Sequence, residues 1–205
     1  MSLEQQRIGV YGGSFDPVHF GHLRCAFEVQ QQLQLDQLRF VPSGNPPHRE
    51  RAAVSAKHRV AMLELAIVDY PASLVDTREV QSDQPSYSID TLEAIQAENT
   101  DAELTLIIGT DQFSTFDTWH RWKQLLQQCN LAVMQRPGES LSEYAKNLLA
   151  GPMAENITLC AVTQLEISSS RIRRDLNMGT DVKFLLPYTV RNHIIEHHLY
   201  RGSAC

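Results

Sequence analysis

Two histidines, His19 and His22, end a glycine-bearing segment of the chain, Tyr11-Gly-Gly-Ser-Phe-Asp-Pro-Val-His-Phe-Gly-His22. Glycines allow a backbone to approach a ligand closely, and a helix that begins after them points its first N–H groups at an anion. Imidazoles at such a helix start can donate N–H bonds to phosphate oxygens near neutral pH without a permanent charge. The segment therefore predicts a phosphate site with two transition-state donors, in which Gly21 leaves room for a bulky ligand.

A second segment of this kind lies near the other end of the chain, in Ile167-Ser-Ser-Ser-Arg-Ile-Arg-Arg174. Serines favour the first positions of a helix, and an arginine guanidinium can hold two phosphate oxygens with its planar fork. We expect Ser169, Ser170 and Arg173 to hold the outer phosphates of a ligand. Two anion sites in one small chain indicate a polyphosphate.

Short apolar segments alternate with amphipathic ones along the chain. The predicted strands are residues 8–11, 38–41, 73–80, 104–108 and 131–134, and the predicted helices are residues 23–33, 58–68 and 88–97. Continuous apolar strands belong inside a parallel sheet that is covered on both faces. Right-handed crossovers then give a doubly wound, Rossmann-like α/β fold, with the ligand beyond the carboxyl ends of the strands. Gly12, Ser43 and Gly109 stand near such ends.

The chain shows no linker or internal repeat, so residues 1–205 are predicted to form one domain, with an exposed loop over 42–51 and a helical portion from about residue 168. Its net charge of −6 argues against bulk binding of nucleic acid. The four cysteines form no closely spaced pair, which favours reduced thiols. No segment resembles a signal peptide or a membrane span, so we expect a cytoplasmic protein.

The histidine pair also allows plainer interpretations. The two side chains could be surface residues, or they could bind a metal ion, although no acidic or sulfur ligand stands at helical spacing from them. Asp16 is predicted to cap or brace the loop before Pro17 rather than to act as a base.

The segment from Gly12 to His22 resembles the GG(S/T)FDPxHxGH signature of the nucleotidyltransferase superfamily that carries the HIGH motif. Ser168-Ser-Ser-Arg-Ile-Arg173 resembles the second signature of that superfamily. Five further motifs stand in the order found in bacterial nicotinate-nucleotide adenylyltransferases: Pro46-Pro-His-Arg49, Pro85-Ser-Tyr-Ser-Ile-Asp-Thr-Leu92, Ile107-Ile-Gly-Thr-Asp111, Thr115-Phe-Asp-Thr-Trp119 and Arg136-Pro-Gly138. The resemblance covers nearly the whole chain, with serine at Ser88 and Ser170 where threonine is common.

This resemblance implies adenylyl transfer from ATP to nicotinate mononucleotide, which yields nicotinate adenine dinucleotide and pyrophosphate in NAD biosynthesis. It implies His19, His22 and Arg173 as catalytic residues, and Mg²⁺ that arrives with the ATP phosphates rather than in a metal site of the protein. The implied ATP-binding residues are Gly12, Gly13, Ser14, Phe15, His19, His22, Gly109, Asp111, Ser169, Ser170 and Arg173. The implied mononucleotide-binding residues are His48, Arg49, Tyr87, Ser88, Thr118, Trp119 and Arg136. In-line attack needs positioning and charge stabilisation but no nucleophilic side chain.

Several of these roles have a structural alternative. Asp111 is placed to hold ribose hydroxyls, but it could instead cap a helix that starts at Gln112. His48 and Arg49 could be solvated loop residues. Tyr87 and Trp119 could be core aromatics rather than walls around a pyridine ring.

Other functional classes remain open at this point. His193-Ile-Ile-Glu-His197 matches a zinc-peptidase pattern, but only eight residues follow it, too few for a downstream acidic ligand, so we expect a solvated helix. A non-catalytic nucleotide sensor would use the same fold. A sister adenylyltransferase would act on phosphopantetheine or on the amide mononucleotide.

Overall fold

A parallel sheet organises the protein in the computed structural model, which describes residues 5–44, 52–135, 138, 140–163 and 165–201. Its strands lie in the order β3-β2-β1-β4-β5-β6, and every neighbouring pair runs parallel. The strands are β1 (Arg7–Gly13), β2 (Gln37–Pro42), β3 (Ser73–Val75), β4 (Glu103–Gly109), β5 (Asn130–Gln135) and β6 (Ile157–Ala161). This arrangement confirms the predicted doubly wound α/β fold.

Helices connect the strands and extend the chain beyond β6. They are α1 (Phe20–Gln32), α2 (Ala56–Ile67), α3 (Ser88–Glu98), α4 (Thr110–Phe113), α5 (Trp122–Gln128), α6 (Glu143–Leu149), α7 (Ser169–Asn177) and α8 (Tyr188–Glu196). Short 3₁₀ turns cover Phe116–Thr118 and Ala154–Asn156. Among the described residues, no helix is both long enough and apolar enough to cross a membrane.

Each face of the sheet carries its own apolar core. Tyr11 and Ile107 contribute to one core, while Val10, Leu106 and Ile108 contribute to the other. Successive side chains of a strand point to opposite faces, so this alternation shows that β1 and β4 are covered on both sides. The continuous apolar sequence of β4 follows from that position.

Two strand predictions need correction. The third strand ends at Val75 rather than at residue 80, because the Thr77 carbonyl accepts the Val80 N–H at 3.1 Å and turns the chain. The edge strand β6 was not predicted at all, since only Ile157 and Cys160 of its five residues are buried. The predicted loop over residues 42–51 lies outside the described residues beyond Gly44.

The strand order places a topological switch point between β1 and β4. From β1 the chain continues to β2 and β3 on one side of β1, and it then crosses to β4 on the other side. The connections after β1 and β4 therefore lead away from each other, which opens a crevice at the carboxyl ends of these two strands. Gly13 and Gly109 are the last residues of β1 and β4, and Ser43 follows the last residue of β2. The predicted ligand site therefore lies at the switch point.

Candidate active site

Two neighbouring cavities occupy this crevice and share Gly12, Gly13 and Gln112 in their walls. The first has a volume of about 380 Å³ and includes His19, His22 and Ser169; we call it the polar cavity. The second has a volume of about 370 Å³ and includes Tyr87 and Trp119; we call it the aromatic cavity. The two cavities therefore adjoin each other along the end of β1.

The two histidines of the first signature stack on each other at the start of α1. Their ring centroids are 3.7 Å apart, with 21° between the ring planes. His19 is the N-cap of α1, and its Nδ1 accepts the backbone N–H of His22 at 3.3 Å. Because Nδ1 accepts, the proton of a neutral His19 sits on Nε2, where it can be donated to a ligand.

The His22 side chain lies in a low-polarity environment. Burial first, and the neighbouring His19 second, hold the pKa of His22 well below its usual value. Its buried Nδ1 has no hydrogen-bond partner among the described residues. His22 is therefore a neutral imidazole at physiological pH and still has hydrogen-bonding capacity for a ligand.

The backbone N–H groups at the start of α1 are less available than the sequence indicates. The Phe20 N–H donates to the Leu185 carbonyl at 3.1 Å, and the His22 N–H is bonded to His19. Two donors of the first turn are thus already satisfied within the protein. The side chains of His19 and His22 must supply more of any anion binding than the helix end does.

Gly21 lines the polar cavity, where it was predicted to leave room for a ligand, and it has a second reason to lack a side chain. A Cβ at this position would lie 2.9 Å from Nδ1 of His19 and 3.0 Å from its Cε1. A side chain at this position would therefore also displace the ring of His19. Gly21 keeps the His19 ring in its capping position.

Asp16 braces the signature loop, as predicted. One of its carboxylate oxygens accepts the Tyr200 hydroxyl at 2.7 Å, and the other accepts the Ala53 N–H at 2.6 Å. Burial first, followed by the bond to Asp16, raises the pKa of Tyr200, so the phenol stays a donor. The loop is tied to two distant parts of the chain.

Arg59 also braces the signature loop, although it belongs to none of the sequence motifs. The buried guanidinium donates to the Ser14 carbonyl at 2.9 Å and to the Ser43 carbonyl at 2.8 Å. These carbonyls belong to the segments that follow β1 and β2. One side chain of α2 thus fixes two walls of the crevice relative to each other.

The second signature lies beside the first. Ser168 caps α7 by accepting the Arg171 N–H at 3.3 Å, and the Ser169 hydroxyl donates to the Pro17 carbonyl at 2.9 Å. NH1 of Arg173 donates to the Asp16 carbonyl at 2.7 Å. The two signatures are therefore joined by direct hydrogen bonds between the Asp16–Pro17 loop and α7.

The structure places most, but not all, of the predicted ATP residues on the polar cavity. Gly12, Gly13, Ser14, His19, His22, Gly109, Asp111 and Ser169 line it. Ser170 and Arg173 belong to α7, which begins at the wall with Ser169, but they do not line the cavity themselves. Phe15 does not line the polar cavity; its buried ring packs against Tyr11 and Phe40 and so supports the signature loop from the apolar core. Asp111 lies inside α4, whose N-cap is Gly109, so it is not the cap of a helix starting at Gln112.

The aromatic cavity contains the four predicted mononucleotide residues that the structure describes: Tyr87, Ser88, Thr118 and Trp119. Ser88 is the first residue of α3, and Tyr87 is its N-cap. The remaining predicted residues, His48, Arg49 and Arg136, lie outside the described residues. His120 was not predicted, although its ring lies 4.4 Å from that of Tyr87 and completes the wall.

A carboxylate forms part of the same wall. Glu79 accepts the Thr91 hydroxyl at 2.8 Å and the Gly44 N–H at 3.4 Å. A Cβ on Gly44 would collide with the backbone of Glu79, so this close approach requires glycine. Hydrogen bonds from α3 and from the segment after β2 thus hold the carboxylate of Glu79 in a fixed position on the wall of the aromatic cavity.

The HxxEH segment is not a fully solvated helix, which corrects the prediction from sequence. His193 is half-buried, and its Nε2 lies 3.1 Å from Nδ1 of His58 in α2. His193 and His197 line neither cavity. This histidine group is separate from the crevice.

Comparisons with known proteins agree with this geometry. Residues 10–175 match the model of a family described as cytidylyltransferase-like. A Pseudomonas aeruginosa protein named "Probable nicotinate-nucleotide adenylyltransferase" is 46% identical over 96% of this chain and 98% of its own length. A Pseudomonas entomophila protein of the same name is 43% identical over 98% of each chain.

The fold recurs in a solved structure of low sequence identity. The nicotinic acid mononucleotide adenylyltransferase of Plasmodium falciparum, complexed with NaAD, superposes with a TM-score of 0.75 at 18% identity, over 96% of this chain and 98% of the other. The likeness supports the fold, while the family rests on the signatures and the close relatives. The chain belongs to the cytidylyltransferase-like family and, within it, to the nicotinate-nucleotide adenylyltransferases.

Proposed function

We propose that this enzyme transfers the adenylyl group of ATP to nicotinate mononucleotide, with release of pyrophosphate. The observation that carries the proposal is the pair of cavities with a common wall at Gly12–Gly13. One cavity offers imidazole and hydroxyl groups, and the other offers aromatic rings. Two substrates that must meet phosphate to phosphate fit this division.

ATP is assigned to the polar cavity. The Nε2 proton of His19 and the neutral imidazole of His22 stabilise charge on the α-phosphoryl oxygens. Arg173 and Ser170 in α7 act on the β- and γ-phosphates as negative charge moves onto the leaving pyrophosphate. Ser169 lies on the cavity wall and joins them when its hydroxyl exchanges the Pro17 carbonyl for a phosphate oxygen. Asp111, on the same wall, accepts hydrogen bonds from ribose hydroxyls.

The reaction itself needs positioning more than protein nucleophiles. A phosphate oxygen of the mononucleotide bonds to the α-phosphorus of ATP while the bond from that phosphorus to the bridging oxygen breaks. The braces from Arg59 and Asp16 hold the loop that carries both histidines, so the donors are fixed before the substrates arrive. Such preorganisation lowers the barrier without any covalent intermediate.

Magnesium is proposed to enter with the ATP phosphates. Within the described part of the chain, Asp111 is the one carboxylate on the polar cavity, so the protein offers no oxygen cage of its own there. Mg²⁺ commonly keeps its waters and binds substrate phosphates at such sites. Bound in this way, it would neutralise phosphate charge.

Nicotinate is assigned to the aromatic cavity. Tyr87, Trp119 and His120 provide ring faces for the pyridine, and α3 begins at this cavity without a side-chain cap on its first N–H groups. The hydroxyls of Ser88 and Thr118 lie on the same wall, although that of Thr118 already donates to the Thr115 carbonyl. An ionised carboxylate suits a helix start of this kind better than an amide does. His48, Arg49 and Arg136 are proposed to contact the mononucleotide on the strength of the family motifs alone.

We further propose that the whole chain forms one domain and works in the cytoplasm, free of nucleic acid. The net charge of −6 and the widely spaced cysteines support this assignment.

A pyrophosphate-release assay tests the function. The enzyme is supplied with ATP and Mg²⁺ together with nicotinate mononucleotide, nicotinamide mononucleotide or phosphopantetheine, each in a separate reaction. We expect the highest turnover with nicotinate mononucleotide. Preferential turnover of phosphopantetheine would reassign the substrate, and no turnover with any acceptor would support a nucleotide sensor.

A further inference from the structure

Three histidines from two helices converge outside both cavities. His58 belongs to α2, His193 to α8, and His197 is the C-terminal cap of α8. One ring nitrogen from each residue lies within 4.8 Å of the others. His193 and His197 are four positions apart and share one face of α8, while His58 approaches that face from α2.

The distances within this group suit a single metal ion. A tetrahedral ion with Zn–N bonds of about 2.0 to 2.1 Å holds two ligand nitrogens roughly 3.4 Å apart. Nδ1 of His58 and Nε2 of His193 are already 3.1 Å apart. His197 is exposed, so its ring can close the remaining distance by rotating about its side-chain bonds.

We propose that His58, His193 and His197 form a binding site for Zn²⁺, with water as the fourth ligand. Three imidazoles favour zinc over Mg²⁺, which prefers oxygen ligands. Glu196 is outside the ligand group, and the site faces neither cavity. The role we infer is therefore structural rather than peptidase-like.

The ion would fasten α8 to α2 where a hydrogen bond already joins them. The Thr189 hydroxyl donates to the Leu65 carbonyl at 2.9 Å. Residue 59 of α2, next to His58, is the arginine that fixes the segments after β1 and β2. Zinc at this position would stabilise the helix pair on which the brace of the active site depends.

Isothermal titration calorimetry with Zn²⁺ tests the site directly, using an untagged chain without ATP or Mg²⁺. We expect one ion per chain. His58→Gln, His193→Gln and His197→Gln should each weaken binding by about 100-fold or more, since even loss of an outer hydrogen-bond partner of a metal ligand costs about 10- to 100-fold. His198→Asn is the matched control. It removes the adjacent histidine outside the group, and asparagine tolerates the left-handed backbone found there.

Thermal unfolding provides the second measurement. Zinc at about 100 times its Kd should raise the Tm of the wild type and of His198→Asn by about 5 °C or more. The exposed ligand variant His197→Gln, whose folding is least at risk, should lose this shift. Absence of stoichiometric binding in the wild type would overturn the proposal, as would unchanged affinity in His197→Gln. Neither result would affect the pyrophosphate assay, so the two proposals fail separately.

Discussion

The polar and aromatic cavities share one glycine wall but are lined by different chemical groups. Around the polar cavity, His19 and His22 come from a single helix start, and their rings are stacked and braced from behind. The aromatic cavity draws Tyr87 from the start of α3 and Trp119 and His120 from the segment before α5. The histidines of the polar cavity thus come from one short, braced segment, whereas the rings of the aromatic cavity come from segments that are distant in sequence. We expect damage to the first to reduce rate and damage to the second to alter substrate choice.

Loss of the His22 imidazole should have the largest effect. His22→Ala removes one preorganised donor to the α-phosphate, so kcat should fall by about 10²- to 10³-fold, with little change in KM for the mononucleotide. Steady-state kinetics with both substrates measures this split. Turnover near that of the wild type would rule out a donor role for His22.

Substrate discrimination should follow from the aromatic cavity. The kcat/KM for nicotinate mononucleotide should exceed that for nicotinamide mononucleotide by about 10²-fold, because the amide turns an NH₂ donor toward the donors at the start of α3. Competition between the two mononucleotides for limiting enzyme gives the ratio. Equal efficiencies would leave adenylyl transfer intact but remove the specificity assigned to this cavity.

Arg173 should matter through its shape as well as its charge. One arm of its guanidinium already donates to the Asp16 carbonyl, so a lysine cannot hold the loop and reach phosphate at once. We expect Arg173→Lys to lower kcat/KM for ATP by roughly 10-fold or more. Arg201→Lys, at an exposed position, is the control and should have no effect. Full activity in Arg173→Lys would mean that only positive charge is needed there.

Two substitutions separate the role of His19 as the N-cap of α1 from its proposed role as a donor to phosphate. His19→Ala should lower the free energy of unfolding by about 1 kcal/mol or less, because the His22 N–H loses its side-chain acceptor and keeps only the backbone carbonyl of residue 19 at 2.9 Å. His19→Asn should recover that stability, since asparagine is a good N-cap, yet its kcat should remain low. Chemical denaturation and steady-state kinetics on both variants supply the comparison. Recovery of kcat in His19→Asn would reduce His19 to a cap.

The lowered pKa of His22 predicts a small dependence of stability on pH in the ligand-free enzyme. Below the ordinary histidine pKa of about 6.5, the unfolded chain gains a proton that folded His22 resists, so stability falls as the pH decreases. The contribution is at most about 1.4 kcal/mol per pH unit. His22→Gln should lose less stability than the wild type between pH 7.5 and 5.5. Equal losses in the two proteins would contradict the shift.

The parts that were predictable from sequence are local ones. The Gly12–His22 and Ser168–Arg173 segments carry their chemistry within eleven and six consecutive residues, so spacing alone indicates a phosphate site. The apolar runs of β1, β4 and β5 are local signals too, because strands covered on both faces of a parallel sheet are apolar at nearly every position. In the structure, hydrogen bonds from Ser169 and Arg173 to the Asp16–Pro17 backbone join the two segments.

The parts that sequence did not reveal depend on long-range contacts. Arg59 reads as an ordinary helix residue, because its partners are backbone carbonyls that leave no trace in residue type. His58 and His193 are 135 positions apart, and only the packing of α2 against α8 brings them together. The edge strand β6 buries too few of its side chains to produce an apolar pattern.

The hydrogen bond between Tyr200 and Asp16 joins residues 184 positions apart. During synthesis the segment with both catalytic candidates leaves the ribosome early, but this brace cannot form until nearly all of the described chain has followed. The nascent sheet can begin to pack before that moment, while the signature loop still lacks its anchor. Assembly of the adenylylation centre is thereby delayed to one of the last steps in the maturation of the chain.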